Sequence, residues 1–154
     1  MNILGPQLER PTECEAVLRS LPKWFGIEEA LLLYAQDSTK LPTFAAERNH
    51  EIIGFISLLK HFPQSWEVHC IAVSAQARGT GVGTVLLSHA EQWLTAQKVK
   101  FLQIKTIAET KADANYAESR AFYQARGYTP MEVFPSIWSP SNPALQLVKS
   151  LRDA

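Results

Sequence analysis

Cysteine is scarce: Cys14 and Cys70 are the only two in 154 residues. They lie far apart, with no CxxC pair and no histidines at zinc-ligand spacing, so neither a disulfide framework nor a structural metal site is expected. Charge of one sign is lacking too, since fifteen basic residues face fifteen acidic ones and the sequence pI is about 6.9. Such a balanced surface has no basic stripe for nucleic acid or an anionic membrane, and neither is expected as a partner. No apolar run approaches the length of a bilayer span, and residues 1–11 show no basic start followed by an apolar stretch, so the expected location is cytoplasmic. Repeats, low-complexity tracts and flexible linkers are also missing, and the nine prolines punctuate elements rather than separate domains. What is present is a chain of 46% hydrophobic and 19% charged residues, expected to form a single domain over residues 1–154. A chain of this length buries roughly 70% of the surface it exposes when unfolded.

Pattern and punctuation predict a mixed α/β unit. Residues 2–6 read as a short strand, 12–21 as a helix capped by Thr12 with Glu15 three residues on, and 27–36 as a second helix. Residues 43–48 and 52–60 are β-prone runs joined by Asn49-His50-Glu51, which predicts an antiparallel hairpin, and 66–73 reads as a further strand. From Val82 the apolar positions Val82, Leu86, Ala90, Trp93 and Leu94 take helical spacing, predicting a helix to about Gln97. Residues 101–108 read as a strand, 117–126 as a helix closed by Gly127, and 128–134 and 145–151 as two last strands.

Three of the seven glycines, Gly79, Gly81 and Gly83, fall within five residues between a strand end and a helix start. Each costs about 0.5–1 kcal/mol relative to alanine, so the cluster implies a sharp bend or the close approach of a ligand. A helix start with free N–H groups is an anion site, to which Arg78 adds a guanidinium and Thr84 a hydroxyl. A phosphate-bearing ligand fits. A P-loop is excluded because no lysine follows Gly81 or Gly83. A Rossmann turn fits poorly, because position 84 is threonine and no N-terminal βαβ unit precedes the run. The remaining alternative is a turn whose glycines serve packing alone.

The stretch from Ile71 through Arg78-Gly79-Thr80-Gly81-Val82-Gly83-Thr84 resembles the coenzyme A motif of the GNAT acetyltransferase superfamily, with Arg78, Gly81 and Gly83 in the motif's fixed places. A second motif, Ser119 to Tyr128 with Phe122-Tyr123 and Gly127, resembles that family's downstream helix. The resemblance covers about residues 52–128. It implies an α+β fold, a mostly antiparallel mixed sheet of six to seven strands flanked by about four helices and splayed at the acetyl-CoA site. It also implies that the amides from Gly79 through Thr80, Gly81, Val82 and Gly83 to Thr84 hold a pyrophosphate, and that the Ala72 and Val73 backbone pairs with the pantetheine arm. Homodimers are common among such relatives. One departure is that many relatives carry asparagine where this chain has Tyr116, with Asn115 one place off.

The chemistry implied is transfer of an acetyl group from acetyl-CoA to an amine, with no metal required. An amine with a pKa near 10.4 is about 99.9% protonated at neutral pH, so a proton acceptor is needed. Glu67 and His69 are two apart on one strand and share a face. Glu67, six residues before Val73, resembles the family's general base, and His69 suits proton relay. By the same resemblance Tyr123 is the acid that protonates the departing thiolate, and the Val73 N–H polarises the carbonyl. Trp24 and Phe25 are expected to line the acceptor site for a flat or apolar group, and Trp138 likewise. Lys105 could reach an acidic acceptor group, and Glu109 and Asp113 are weaker candidates for amine recognition. The acceptor is expected to be an amine of a small molecule or peptide. The rival reading is a non-catalytic acyl-CoA sensor or assembly module, against which the presence of both Glu67 and Tyr123 speaks.

Overall fold

The computed structural model describes residues 1–108 and 114–151. Among these residues seven strands form one sheet in the order β1-β2-β3-β4-β5-β7-β6. They are β1 (Asn2–Leu4), β2 (Thr43–Arg48), β3 (Glu51–Phe62), β4 (Ser65–Val73), β5 (Phe101–Ile107), β6 (Thr129–Ser139) and β7 (Asn142–Ser150). Every neighbouring pair is antiparallel except β4 and β5. Among the described residues four α-helices flank the sheet: α1 (Pro11–Arg19), α2 (Glu28–Asp37), α3 (Val82–Ala96) and α4 (Ala114–Ala125). The expected mixed, mostly antiparallel sheet with four helices is what the chain forms. None of the described helices is long and apolar enough to cross a membrane.

The two faces of the sheet carry separate cores. Leu86, Leu87 and Leu94 of α3 pack with Phe44, Ile56, Leu58, Leu102 and Leu147, while Leu18 and Leu31 of α1 and α2 pack with Phe55, Cys70 and Ala72. Burying each such large side chain is worth about 1.5–3 kcal/mol, which holds both layers on the sheet. Cys14 and Cys70 are free thiols in the second core.

Strand β4 switches faces partway along. Trp66 and Val68 belong to the α3 side, Cys70 and Ala72 to the α1–α2 side. An unbroken strand alternates every residue and would keep all four on one face. The pairing changes from Cys70 opposite Ser57 to Val68 opposite Leu58, leaving His69 as an extra, bulged residue. The bulge lets Glu67, His69 and Cys70 all face α1 and α2.

Several boundaries differ from the sequence expectation. Helix α1 begins at Pro11, Arg10 takes the N-cap position without a side-chain cap, and Thr12 is inside the helix. Proline at the first helical position supplies the start instead, because its missing N–H is one the helix would leave unpaired. Strand β6 runs on to Ser139, past Pro135. It is an edge strand, where a proline removes no ladder hydrogen bond on its solvent side. The hairpin turn between β2 and β3 is only Asn49 and His50, with φ of 54° and 65°, the left-handed pair that a tight two-residue turn requires.

Candidate functional site

The parallel seam between β4 and β5 is short. It consists of Ser65 opposite Phe101, Trp66 opposite Leu102 and Glu67 opposite Gln103. Beyond Glu67, β4 continues on β3 as far as Val73 and β5 continues on β7 as far as Ile107, but the two no longer pair with each other. A cleft of about 1210 Å³ opens in this gap. Pockets for one small ligand run to roughly 300–1,000 Å³, so the cleft is larger than one small ligand needs.

One end of the cleft is the glycine turn. A 3-10 turn, Ala75–Ala77, follows β4 and leads through Arg78 to the start of α3. Gly79 and Gly81 have φ of +77° and +87°, and a Cβ built on either meets nothing within 4 Å. These two glycines therefore serve backbone conformation, and open space lies in front of them. Gly83 differs, because its Cβ would stand 3.3 Å from the Phe122 ring of α4. Gly81 is the N-cap of α3 and no side chain among the described residues caps that end, so first-turn N–H groups remain available to an anion.

Two arginines border this turn. Arg126 donates from Nε to Thr84 Oγ1 at 2.9 Å and stacks on Phe122 at 3.8 Å. Arg78 lies with its guanidinium carbon 4.2 Å from the Trp24 ring centre and 3.6 Å from the Glu118 carboxylate. Ala72, Val73, Arg78, Gly79, Gly81, Val82, Gly83 and Thr84 line the cleft. Thr80 does not line it, and its hydroxyl instead donates to the Ala77 carbonyl.

The other end carries the ionisable residues. Glu67 accepts at Oε1 from His61 at 2.7 Å and at Oε2 from the Lys105 ammonium at 3.0 Å. Lys105 also donates to Gln103, which accepts from Gln146. His69 is bonded through Nε2 to Asp37 Oδ2 at 2.8 Å and has the Tyr34 ring edge-on at 5.2 Å. Glu67 and His69 thus share a face, as their spacing predicts, but each is held by its own partners. Lys105 reaches Glu67 as well as the cleft.

Aromatic residues close the walls. Trp24 and Phe25, in the loop between α1 and α2, line the cleft, and Tyr116 donates to the Trp24 carbonyl at 3.4 Å. Trp138, 48% exposed, and Ile137 line it from the β6 end. Tyr123, from α4, lines the cleft while only 9% exposed. Burial pushes its hydroxyl pKa well above the ordinary tyrosine value. That phenol holds its proton through the neutral range.

Asp37, His61, Tyr34 and Arg126 are site neighbours that sequence reading did not single out. Asp37 and Arg126 sit at helix ends, where charged residues are commonplace, and His61 lies beyond the expected end of its strand. Only the tertiary fold brings Tyr34 and Arg126 to the cleft wall and Asp37 and His61 to the residues that line it. Glu109 and Asp113 lie outside the described residues, and among the described ones no group of three or more His, Cys, Asp or Glu could hold a metal ion.

Comparison with known proteins agrees with this geometry. No curated protein sequence matches. Among solved structures, a GNAT-family acetyltransferase from Desulfovibrio desulfuricans matches with a TM-score of 0.83 at 13% identity, covering 98% of this chain and 99% of that one. A GNAT acetyltransferase from Elizabethkingia anophelis with acetyl-CoA bound gives 0.73 at 20% identity, covering 97% of each chain. The aminoglycoside 6'-N-acetyltransferase of Enterococcus faecium gives 0.76 at 17% identity, covering 100% of this chain and 99% of its own. At such identities the likeness is one of fold. The family model described as the acetyltransferase (GNAT) family matches residues 12–128, most of the chain. With its unzipped sheet, uncapped glycine turn and family-model match, this chain belongs to the GNAT family and is an acetyltransferase.

Proposed function

We propose that the protein transfers an acetyl group from acetyl-CoA to a primary amine of a small molecule or peptide, directly, with both reactants bound at once. The observation that carries this reading is the cleft itself, in which the β5-facing edge of β4, without a strand partner beyond Glu67, leads from an uncapped helix start to the Glu67–His69 wall. Similar structures hold coenzyme A or acetyl-CoA, which supports the choice of donor. The open space before Gly79 and Gly81 fits a diphosphate at the α3 N-terminus, with Arg78 and Arg126 as its cations. The β5-facing edge of β4 at Ala72 and Val73, which has no strand beside it, suits an extended pantetheine arm.

The amine nitrogen forms a bond to the thioester carbonyl carbon, and the carbon–sulfur bond breaks with its electron pair going to sulfur. The nitrogen gives one proton to Glu67, directly or through water, and sulfur takes one from Tyr123, leaving an amide and a thiol. The Val73 N–H would polarise the carbonyl. Trp24, Phe25 and Trp138 would receive a flat or apolar part of the acceptor, and Lys105 an acidic one. A cytoplasmic location belongs to the same reading, supported by two free cysteines.

The test is release of free coenzyme A over a panel of small amines, polyamines, amino acids, aminoglycosides and peptide N-termini. A sensor would bind acetyl-CoA and release none with any acceptor. For Glu67→Gln, turnover is expected to fall about 10²–10⁴-fold with acetyl-CoA affinity nearly unchanged. Wild-type turnover in that variant removes Glu67 from the mechanism.

A further inference from the structure

An amine that arrives as an ammonium must lose two protons before it is an amide, one to free its lone pair and one as the new bond forms. Glu67 accounts for a single transfer. The cleft holds a second proton-accepting side chain on the same wall, His69, and the structure supplies a reason for its orientation. His69 is the bulged residue of β4, displaced from the ladder, and bulges re-aim side chains beside active sites. Its Nε2 meets Asp37 Oδ2 at 2.8 Å, with both side chains largely shielded, at 24% and 19% exposure.

Asp37 is an unexpected residue where it stands. It is the last residue of α2, whose final turn contains no basic side chain. A carboxylate there faces the negative end of the helix dipole, which is an unfavourable arrangement. The His69 hydrogen bond offsets it. An ionised carboxylate accepts only, so the contact requires a proton on Nε2 and, in the neutral ring, leaves the lone pair on Nδ1. Tyr34 packs edge-on against the ring and restricts its rotation.

We propose that Asp37 is a positioning residue for the transfer reaction: it holds His69 as the Nε2–H tautomer, so that Nδ1 takes the ammonium proton and Glu67 takes the second. The inference rests on the N-acetyltransferase reading above. Asp37 is not among the residues lining the cleft and acts only through His69.

The experiment combines kinetics with a spectroscopic readout. For Asp37→Ala, kcat with an amine that wild type acetylates is expected to fall about 10–100-fold, as for loss of a residue that orients a reacting side chain, with the KM for acetyl-CoA within about twofold. In a His69→Ala background the same substitution is expected to cost nothing further. Nitrogen-15 shifts of the His69 ring should report Nε2–H in wild type and lose that preference in Asp37→Ala. Asp37→Asn, whose amide oxygen can still accept from Nε2–H, should recover part of the rate and guards against a folding artefact. Wild-type kcat in Asp37→Ala, an equal loss in both backgrounds, or an Nδ1–H ring in wild type overturns the proposal. If wild type releases no coenzyme A with any amine, the acetyl-transfer reading fails instead, and this inference falls with it.

Discussion

The Arg78 guanidinium carbon stacks 4.2 Å from the centre of the Trp24 ring, tying the α1–α2 loop to the glycine turn. Its other partner, Glu118, is 71% exposed at 3.6 Å. A solvated ion pair of that kind is worth about 0.2–1 kcal/mol, and an exposed cation–π contact about 0.5–1. Hydrogen bonds from a guanidinium to a phosphate are worth about 1.5–3 kcal/mol, so a bound diphosphate outcompetes both. Acetyl-CoA is therefore expected to draw Arg78 off Trp24 and change the tryptophan fluorescence. A change of the same size in Trp24→Phe would show that Trp24 is not its source. Calorimetry on Arg78→Ala should find acetyl-CoA bound about 10–150-fold more weakly.

The glycine turn makes a prediction about stability. Alanine at Gly79 or Gly81 must adopt a left-handed φ, at a cost of about 1–2 kcal/mol. For a domain of this size that lowers Tm by about 2–8 °C. Gly83→Ala acts differently, by pressing on Phe122 across 3.3 Å. Replacing Phe122 by leucine should relieve Gly83→Ala but neither of the other two, and a rescue of all three would refute the distinction.

Tyr123→Phe tests the acid role and carries a stability signature at high pH. Burial raises the pKa of Tyr123, and burial first, then Glu91, that of Tyr128. The folded state thus favours the neutral phenols. Their contribution is complete below about pH 10, where an unfolded tyrosine titrates, and is lost as pH rises from there through the folded values. Denaturant midpoints should fall with increasing pH above about 10, and less steeply in Tyr123→Phe. Thiol release by the same variant should slow at neutral pH, and wild-type rates would refute the acid role.

Away from the cleft, Glu91 accepts from the Tyr128 hydroxyl at 2.7 Å and from Lys149 at 2.8 Å. Glu91→Ala leaves a largely buried hydroxyl and an ammonium without their acceptor, which should cost about 1–3 kcal/mol in urea unfolding. Steady-state kinetics below the melting range should be unchanged. A large drop in kcat would show that α3 transmits strain from Glu91 to the glycine turn.

Periodicity made α3 legible to within a residue at each end, and turn chemistry found the β2–β3 hairpin. Both signals are local. The extent of β6 is hidden because Pro135 looks like a breaker until the strand is seen to be an edge. The α1 cap was misread because Thr12 with Glu15 imitates a capping box, while Pro11 begins the helix. Within the site, the glycine turn could be read from the chain because it is contiguous. Asp37, His61 and Arg126 could not, since their meaning lies in contacts with His69, Glu67 and Thr84 made across the fold.

Three residue pairs between β4 and β5 are all that join the two halves of the sheet on that seam. Mechanically these are two plates riveted at one end, and beyond the rivet their spacing is held by the α3 core that touches both. Anything lodged between the plates therefore works against side-chain packing and breaks no ladder hydrogen bond between them.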